Sequence, residues 1–181
     1  MPLEVSVQES ELYDEKNEQF VTIPGGNLKL EHSLLSISKW ESKWHVPFLN
    51  DDKKTNEKTL DYIRCMTINN VNQSIYGILS PGNIKDIQSY IANPMTATTI
   101  KEIHNKSSHN RELVTSELIY YWMVANGIPF ECEKWHINRL IMLIRVCNAK
   151  NTPPKKMSQA EILRQNRELN RSRRASSNSR G

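Results

Sequence analysis

The sequence predicts a mainly α-helical fold of five to six helices, preceded by a small N-terminal β-hairpin or sheet and followed by a disordered basic C-terminal tail. Three observations predict it. Apolar residues alternate with period two over residues 1–32 and then recur every three or four positions. Helix-breaking signals at Pro47, Asn93-Pro94, Gly127 and Pro153-Pro154 cut the remainder into helix-length pieces. Beyond residue 158 the apolar content falls while Arg and Ser accumulate. The expected boundaries are a β element over 1–32 packed on the main domain, a helical core domain over 33–158, and a short helix with a flexible Arg-rich tail over 159–181.

In the first segment, Leu3-Glu4-Val5-Ser6-Val7 alternates as a strand does. Phe20-Val21-Thr22-Ile23 and Leu28-Lys29-Leu30 flank Pro24-Gly25-Gly26-Asn27, where Pro fixes the entry and Gly supplies positive φ, so a hairpin through that turn is expected. Residues 3–7 would then pair on its edge. Ser33 caps a helix carrying Leu34, Ile37, Trp40 and Trp44, ended by Pro47. After the polar loop Asn50–Lys54, Thr55 caps a second helix with Leu60, Ile63 and Met66 on one face. Ser80-Pro81 opens a third, lined by Ile84, Ile87 and Ile91 and stopped by Asn93-Pro94.

Residues 101–112 are polar and aperiodic and read as a loop. Thr115 or Ser116 opens a helix with Leu118, Ile119, Trp122 and Ala125, closed by Gly127 at the C′ position. Residues 130–148 are the most hydrophobic run and predict a central helix, apolar around much of its circumference. Ser158-Gln159-Ala160-Glu161 has the S-x-x-E form of a capping box and starts the last, short helix.

With 181 residues and 38% hydrophobic content, the chain is long enough to bury a core without disulfides or metals. No run of about 18 apolar residues exists, so no membrane span is expected. The acidic N-terminus MPLEVSVQESELYDE lacks the apolar stretch of a secretory signal. Three cysteines (Cys65, Cys132, Cys147) without paired spacing suggest reduced thiols, and together these features predict a soluble intracellular protein. The net charge of +4 is uneven: residues 150–181 carry nine Lys/Arg against two Glu, whereas residues 1–149 carry 15 basic and 18 acidic groups. A basic stripe for nucleic acid is therefore confined to the tail.

Catalytic patterns are scarce. Cys132 and His136 are four apart, suitable for one helix face and a zinc ion, with Cys147 eleven residues on, but no second ligand pair supports the site and no metal is expected. His32, His45, His104 and His109 sit in no HExxH frame. Glu131 and Glu133, two apart on a helix, would point to different faces. Gly25-Gly26 precedes a strand, not a helix, so no phosphate cradle is expected and no cofactor is assigned. The expectation is a protein that is not an enzyme.

Four tryptophans (Trp40, Trp44, Trp122, Trp135) fall in predicted helices, where core packing competes with a role as binding anchors. Trp40 and Trp44 are the candidates for a partner-binding face, because Lys39, Glu41 and Lys43 interleave them and predict partial exposure. In the tail, Arg164, Arg167 and Arg171 share a helix face, followed by Arg173 and Arg174. These five arginines are candidates for docking on an acidic protein, with nucleic acid the lesser alternative, against a plainly solvated tail that aids solubility.

Four stretches, LEHSLLSISKWESKWHVPFL (30–49), DYIRCMTI (61–68), PMTATTI (94–100) and ELIYYWMVANGIPFECEKWHINRLIMLIRVCNAKNTPPKKMS (117–158), resemble the tail assembly chaperones of long-tailed, siphovirus-type bacteriophages. The resemblance covers most of the chain, including its acidic start and Arg-rich end, and rests on core and loop words, not on a catalytic signature. It implies a non-enzymatic assembly factor that binds the helical tape-measure protein and helps recruit tail-tube subunits. It further implies action in the host cytoplasm during infection, absence from the finished particle, and a possible homo-oligomer. A structural virion component, such as a connector or tail-completion protein, and a nucleic-acid-binding module acting through the tail are the alternatives.

Overall fold

The computed structural model describes residues 2–14, 18–50, 54–99, 113–151 and 159–177. They form four strands, six α-helices and three short 3₁₀ segments, in two compact units, Met1–Ala149 and Lys150–Gly181.

Strands β1 (Leu3–Val7), β2 (Ser10–Asp14), β3 (Gln19–Ile23) and β4 (Gly26–Leu30) pair as β1 with β4 and β2 with β3, both antiparallel. This corrects the expected hairpin through Pro24–Asn27: β3 and β4 are not partners. In both ladders the paired residue numbers add to 33, so the two sheets are successive halves of one long hairpin with its turn between Asp14 and Gln19. The ladder breaks at Gln8-Glu9 opposite Pro24-Gly25. Pro24 has no N–H to give. A Cβ on Gly25 would stand 2.4 Å from the Val7 carbonyl oxygen and 2.7 Å from the Glu9 nitrogen, so this approach of the two backbones requires glycine. The Gly25 signal was thus a crossing, not a turn.

The inner half of the hairpin turns Val5, Val7, Leu28 and Leu30 into the core and leaves Glu4 and Lys29 outside as a cross-strand ion pair of 3.1 Å. Helix α1 (Leu34–Trp44) starts at Ser33, whose Oγ accepts the Ser36 N–H, and ends at His45, which adopts a left-handed φ of 54° two residues before Pro47. Phe48–Asn50 form a 3₁₀ turn. Helix α2 (Asn56–Met66) is capped by Thr55 and buries Ile63 and Met66, with Leu60 half-buried. A 3₁₀ segment at Gln73–Ile78, not expected from the sequence, buries Ile75 and Tyr76. Helix α3 (Pro81–Ala92) has reciprocal capping between Ser80 and Asn83 and buries Ile87. The expected 101–112 loop lies outside the described residues.

Helix α4 (Ser116–Ala125) begins at Thr115 and is followed by Gly127 at φ 65°, the stop that the glycine predicts. The single helix expected over 130–148 is two pieces: a 3₁₀ segment at Phe130–Lys134 and helix α5 (Ile137–Asn151). Trp135 and His136 between them are extended, because His136 forms a bridge with Ser33 and the Ile137 N–H donates to the His32 carbonyl at 2.8 Å. Helix α5 is not apolar all round either: it buries one stripe, Ile137, Leu140 and Ile144. Helix α6 (Gln159–Ser177) makes the second unit and runs well beyond the short helix expected. Of the tail RSRRASSNSRG expected to be disordered, residues 171–177 are helical, and 178–181 lie outside the described residues.

The core of the first unit gathers side chains far apart in sequence. Leu28, Leu30, Leu34, Ile37, Trp40, Ile63, Met66, Ile87, Ile119, Met123, Ile137 and Leu140 are fully buried. The segment from β4 into α1 is the spine: Lys29 and Glu31 exchange backbone hydrogen bonds with Ile68 and Met66, and His32 with Ile137. This spine fixes the N-terminal hairpin to α2 and α5.

Candidate protein-binding surfaces

Trp40 and Trp44 share a helix face, but the structure separates them. Trp40 has no solvent exposure; its ring packs edge-on against Phe48 at 5.2 Å and its Nε1–H donates to the Lys58 carbonyl. It belongs to the core, which corrects its expected exposure: the charged neighbours Lys39, Glu41 and Lys43 do not mark the exposed side for Trp40. Glu41 is itself buried, its carboxylate accepting the Phe48 and Ser116 N–H groups, each at 2.7 Å, and so tying α1 to the start of α4. Trp44 is half-buried. Its Nε1–H donates to Asp61 at 2.9 Å, and the ammonium groups of Lys43 and Lys58 lie 5.7 and 5.6 Å from its ring. Burial would raise the Asp61 carboxyl, but hydrogen bonds from Lys43 and Trp44 outweigh it and hold the group below its ordinary value.

Cys132 and His136, for which no metal is expected, are not placed on one helix face: Cys132 sits in the 3₁₀ segment and His136 on extended backbone. Both ring nitrogens of His136 are engaged: Nε2 donates to the Tyr90 carbonyl at 3.0 Å and Nδ1 accepts the Asn138 N–H at 3.3 Å. This pattern assigns the neutral Nε2–H tautomer. Among the described residues no three His, Cys, Asp or Glu side chains converge on a metal position. His32 stands edge-to-face with His136, ring centroids 4.9 Å apart, and its Nδ1 is hydrogen-bonded to the Tyr62 hydroxyl. Burial first, then His136 and Lys54, lowers His32 to about 3. Cys65 is pushed up by burial and the nearby Asp61, the opposite of an activated thiol.

Three other features face solvent. A groove of about 320 Å³ lies beside α4 and α5, floored by Trp122, Ile141 and Ile144 and edged by Leu49, Val114, Arg145 and Asn148. The outer half of the hairpin carries exposed apolar pairs, Leu12 opposite Val21 (42% and 41% exposed) and Tyr13 opposite Phe20 (53% and 71%), the latter two rings meeting edge-on at 5.2 Å. On α6 the arginines sort by period. Arg164, Arg167, Arg171 and Arg174, spaced three, four and three, line one face over about 15 Å, while Arg173 turns to the side of Ile162 and Leu169. Every side chain described on α6 is exposed.

Tyr13 lies in the stretch 8–19, for which the sequence predicts no element, and Phe20 falls in an expected strand without being singled out as a surface residue. The available signal was SELYD and QFVTI on either side of a polar Glu15–Glu18 connection. It was hidden by the stronger Gly-Gly turn signal at 25–26.

The chain matches no protein-family model, no curated protein and no solved structure.

Proposed function

We propose that this chain is a non-enzymatic tail assembly chaperone of a long-tailed bacteriophage. It binds the helical tape-measure protein and helps recruit tail-tube subunits in the host cytoplasm, without remaining in the finished particle. The observation that carries the reading is the α4–α5 groove. An amphipathic helix docks by laying apolar side chains at one-turn spacing into such a groove, and a tape-measure protein offers many of them. Leu49, Trp122, Ile141 and Ile144, which line the groove, all fall within the stretches that carry the resemblance. The rim is polar at Arg145 and Asn148, as expected of a reversible contact.

The test is co-expression with a long helical tape-measure protein of a long-tailed phage, followed by affinity purification. The tape-measure protein is expected in the soluble fraction with the wild-type chain and lost from it with Ile141→Asp, a substitution at a half-buried groove position. Equal recovery with both variants would exclude the groove. Stoichiometric presence of the chain in purified particles would assign it instead as a structural virion component.

A further inference from the structure

The outer half of the N-terminal hairpin is a second surface, chemically unlike the groove. A two-stranded ribbon alone is marginal in water, and β2–β3 is flanked by no third strand among the described residues. Strand β2 pairs only with β3 among the described residues, so its other edge is open to a further ladder, whereas β3 approaches the Gln73–Ile78 segment. The ribbon's faces are apolar where its edges are polar. Residues alternate between faces, so Leu12 and Val21 lie on the side of buried Ile23, and Tyr13 and Phe20 on the opposite, outward side. The burial of Ile23 secures the base of the arm, and from there the arm stands in solvent.

Charge decides what can cover it. Between Glu9 and Glu18 the sequence holds five carboxylates (Glu9, Glu11, Asp14, Glu15, Glu18) against Lys16 alone. Glu11 and Asp14 lie on β2, so pairing that open edge with β2 of a second copy would set their carboxylates side by side, and like charges across a ladder are destabilising. A strand alternating basic and apolar residues reverses that sign, while its apolar side chains reach the Tyr13–Phe20 face. We propose that the β2–β3 arm is a docking edge for an extended, basic segment of another protein, added as a third strand.

A fluorescein-labelled peptide of alternating Lys and Val, about as long as an ordinary strand, is titrated into the full-length protein, with an alternating Ser–Val peptide as control. The Lys–Val peptide is expected to bind at least about tenfold more tightly than the control and to weaken as salt is raised. The double substitution Tyr13→Ser/Phe20→Ser, at exposed positions, should weaken it by about tenfold or more at an unchanged melting temperature. Leu12→Pro, which disrupts the ladder at the arm alone, should do the same. Equal binding of the two peptides, or binding unaffected by both variants, would overturn the proposal. So would concentration-dependent dimerisation abolished by Tyr13→Ser/Phe20→Ser, since the occupant would then be a second copy.

Discussion

Lowering the pH should destabilise the first unit well before its carboxylates titrate, because of His32. The side chain is buried against Phe48, Tyr62 and His136, with its Nδ1 committed to the Tyr62 hydroxyl. Folded, it holds no proton until about 3, whereas the unfolded chain takes one up near 6.5. Between those values the unfolded state binds more protons, so stability falls as pH falls, by about 1.4 kcal/mol per unit. At about pH 5 the accumulated loss from His32 is about 2 kcal/mol, which for a unit of this size lowers Tm by about 4–8 °C relative to neutral pH. His136 is lowered by burial as well and adds to the slope with the same sign. Asp61 does not interfere, because its depressed folded value means that its contribution disappears only at lower pH, below the ordinary carboxylate value of 3.8. The assay is thermal melting by far-UV circular dichroism from about pH 7 to about pH 5. His32→Gln should melt lower at neutral pH but with a visibly flatter pH dependence, and His136→Asn should remove a further part of the slope. A wild-type Tm constant across this window, or an unchanged slope in His32→Gln, would refute the assignment of His32 as a buried neutral imidazole.

Three further outcomes follow from the packing. Trp40→Ala should cost about 3–5 kcal/mol in chemical denaturation, with binding lost only in proportion to the unfolded fraction; a loss of affinity in a fully folded variant would return Trp40 to the surface. Gly25→Ala should destabilise by about 1–3 kcal/mol, since the added methyl meets the backbone of residues 7–9, and a neutral effect in urea titration would contradict the crossing seen there. Truncation after Asn151 should leave the melting temperature of the remaining unit within about 2 °C, because every fully buried side chain among the described residues precedes residue 150; a fall of many degrees would show that α6 belongs to the fold.

Where the sequence read correctly, a local chemical rule and the tertiary structure agreed. Ser33, Thr55, Ser80 and Thr115 all cap the helices they were expected to open, and Gly127 takes the positive φ that ends α4. Apolar spacing located buried Ile63 and Met66 of α2 and Ile87 of α3, with Leu60, Ile84 and Ile91 half-buried, but not the buried Tyr62 and Tyr90. The errors share a different cause. The β3–β4 turn was inferred from Gly25-Gly26, yet those residues serve a partner strand about 17 positions away, which no local window contains. The break in the 130–148 helix is likewise imposed from outside: the bridge from Ser33 to His136 holds extended backbone where hydrophobicity alone favours helix. Trp40 was misplaced because charged neighbours suggested exposure, whereas Glu41 is buried by its two backbone donors and its charge marks no solvent face.

The same distinction separates the two kinds of surface. The arginines of α6 were legible because a 3-4-3 spacing is a local pattern, and the helix presents it unchanged. The groove was not, since it is assembled from elements that meet only through the spine from β4 into α1, while the arm's own local ladder was masked by the stronger Gly25-Gly26 signal. Leu49 and Trp122 come from segments that Glu41 joins, and Ile141 from the helix that His32 anchors. Perturbing the Glu41 carboxylate should therefore loosen the groove without touching any residue that lines it. The outer arm is held chiefly by Ile23 and its own ladder, and should keep its binding in the same variants. A Glu41→Gln protein that loses the groove partner while retaining the Lys–Val peptide would establish two independently supported docking surfaces; joint loss of both would mean that the arm and the groove are one structural unit.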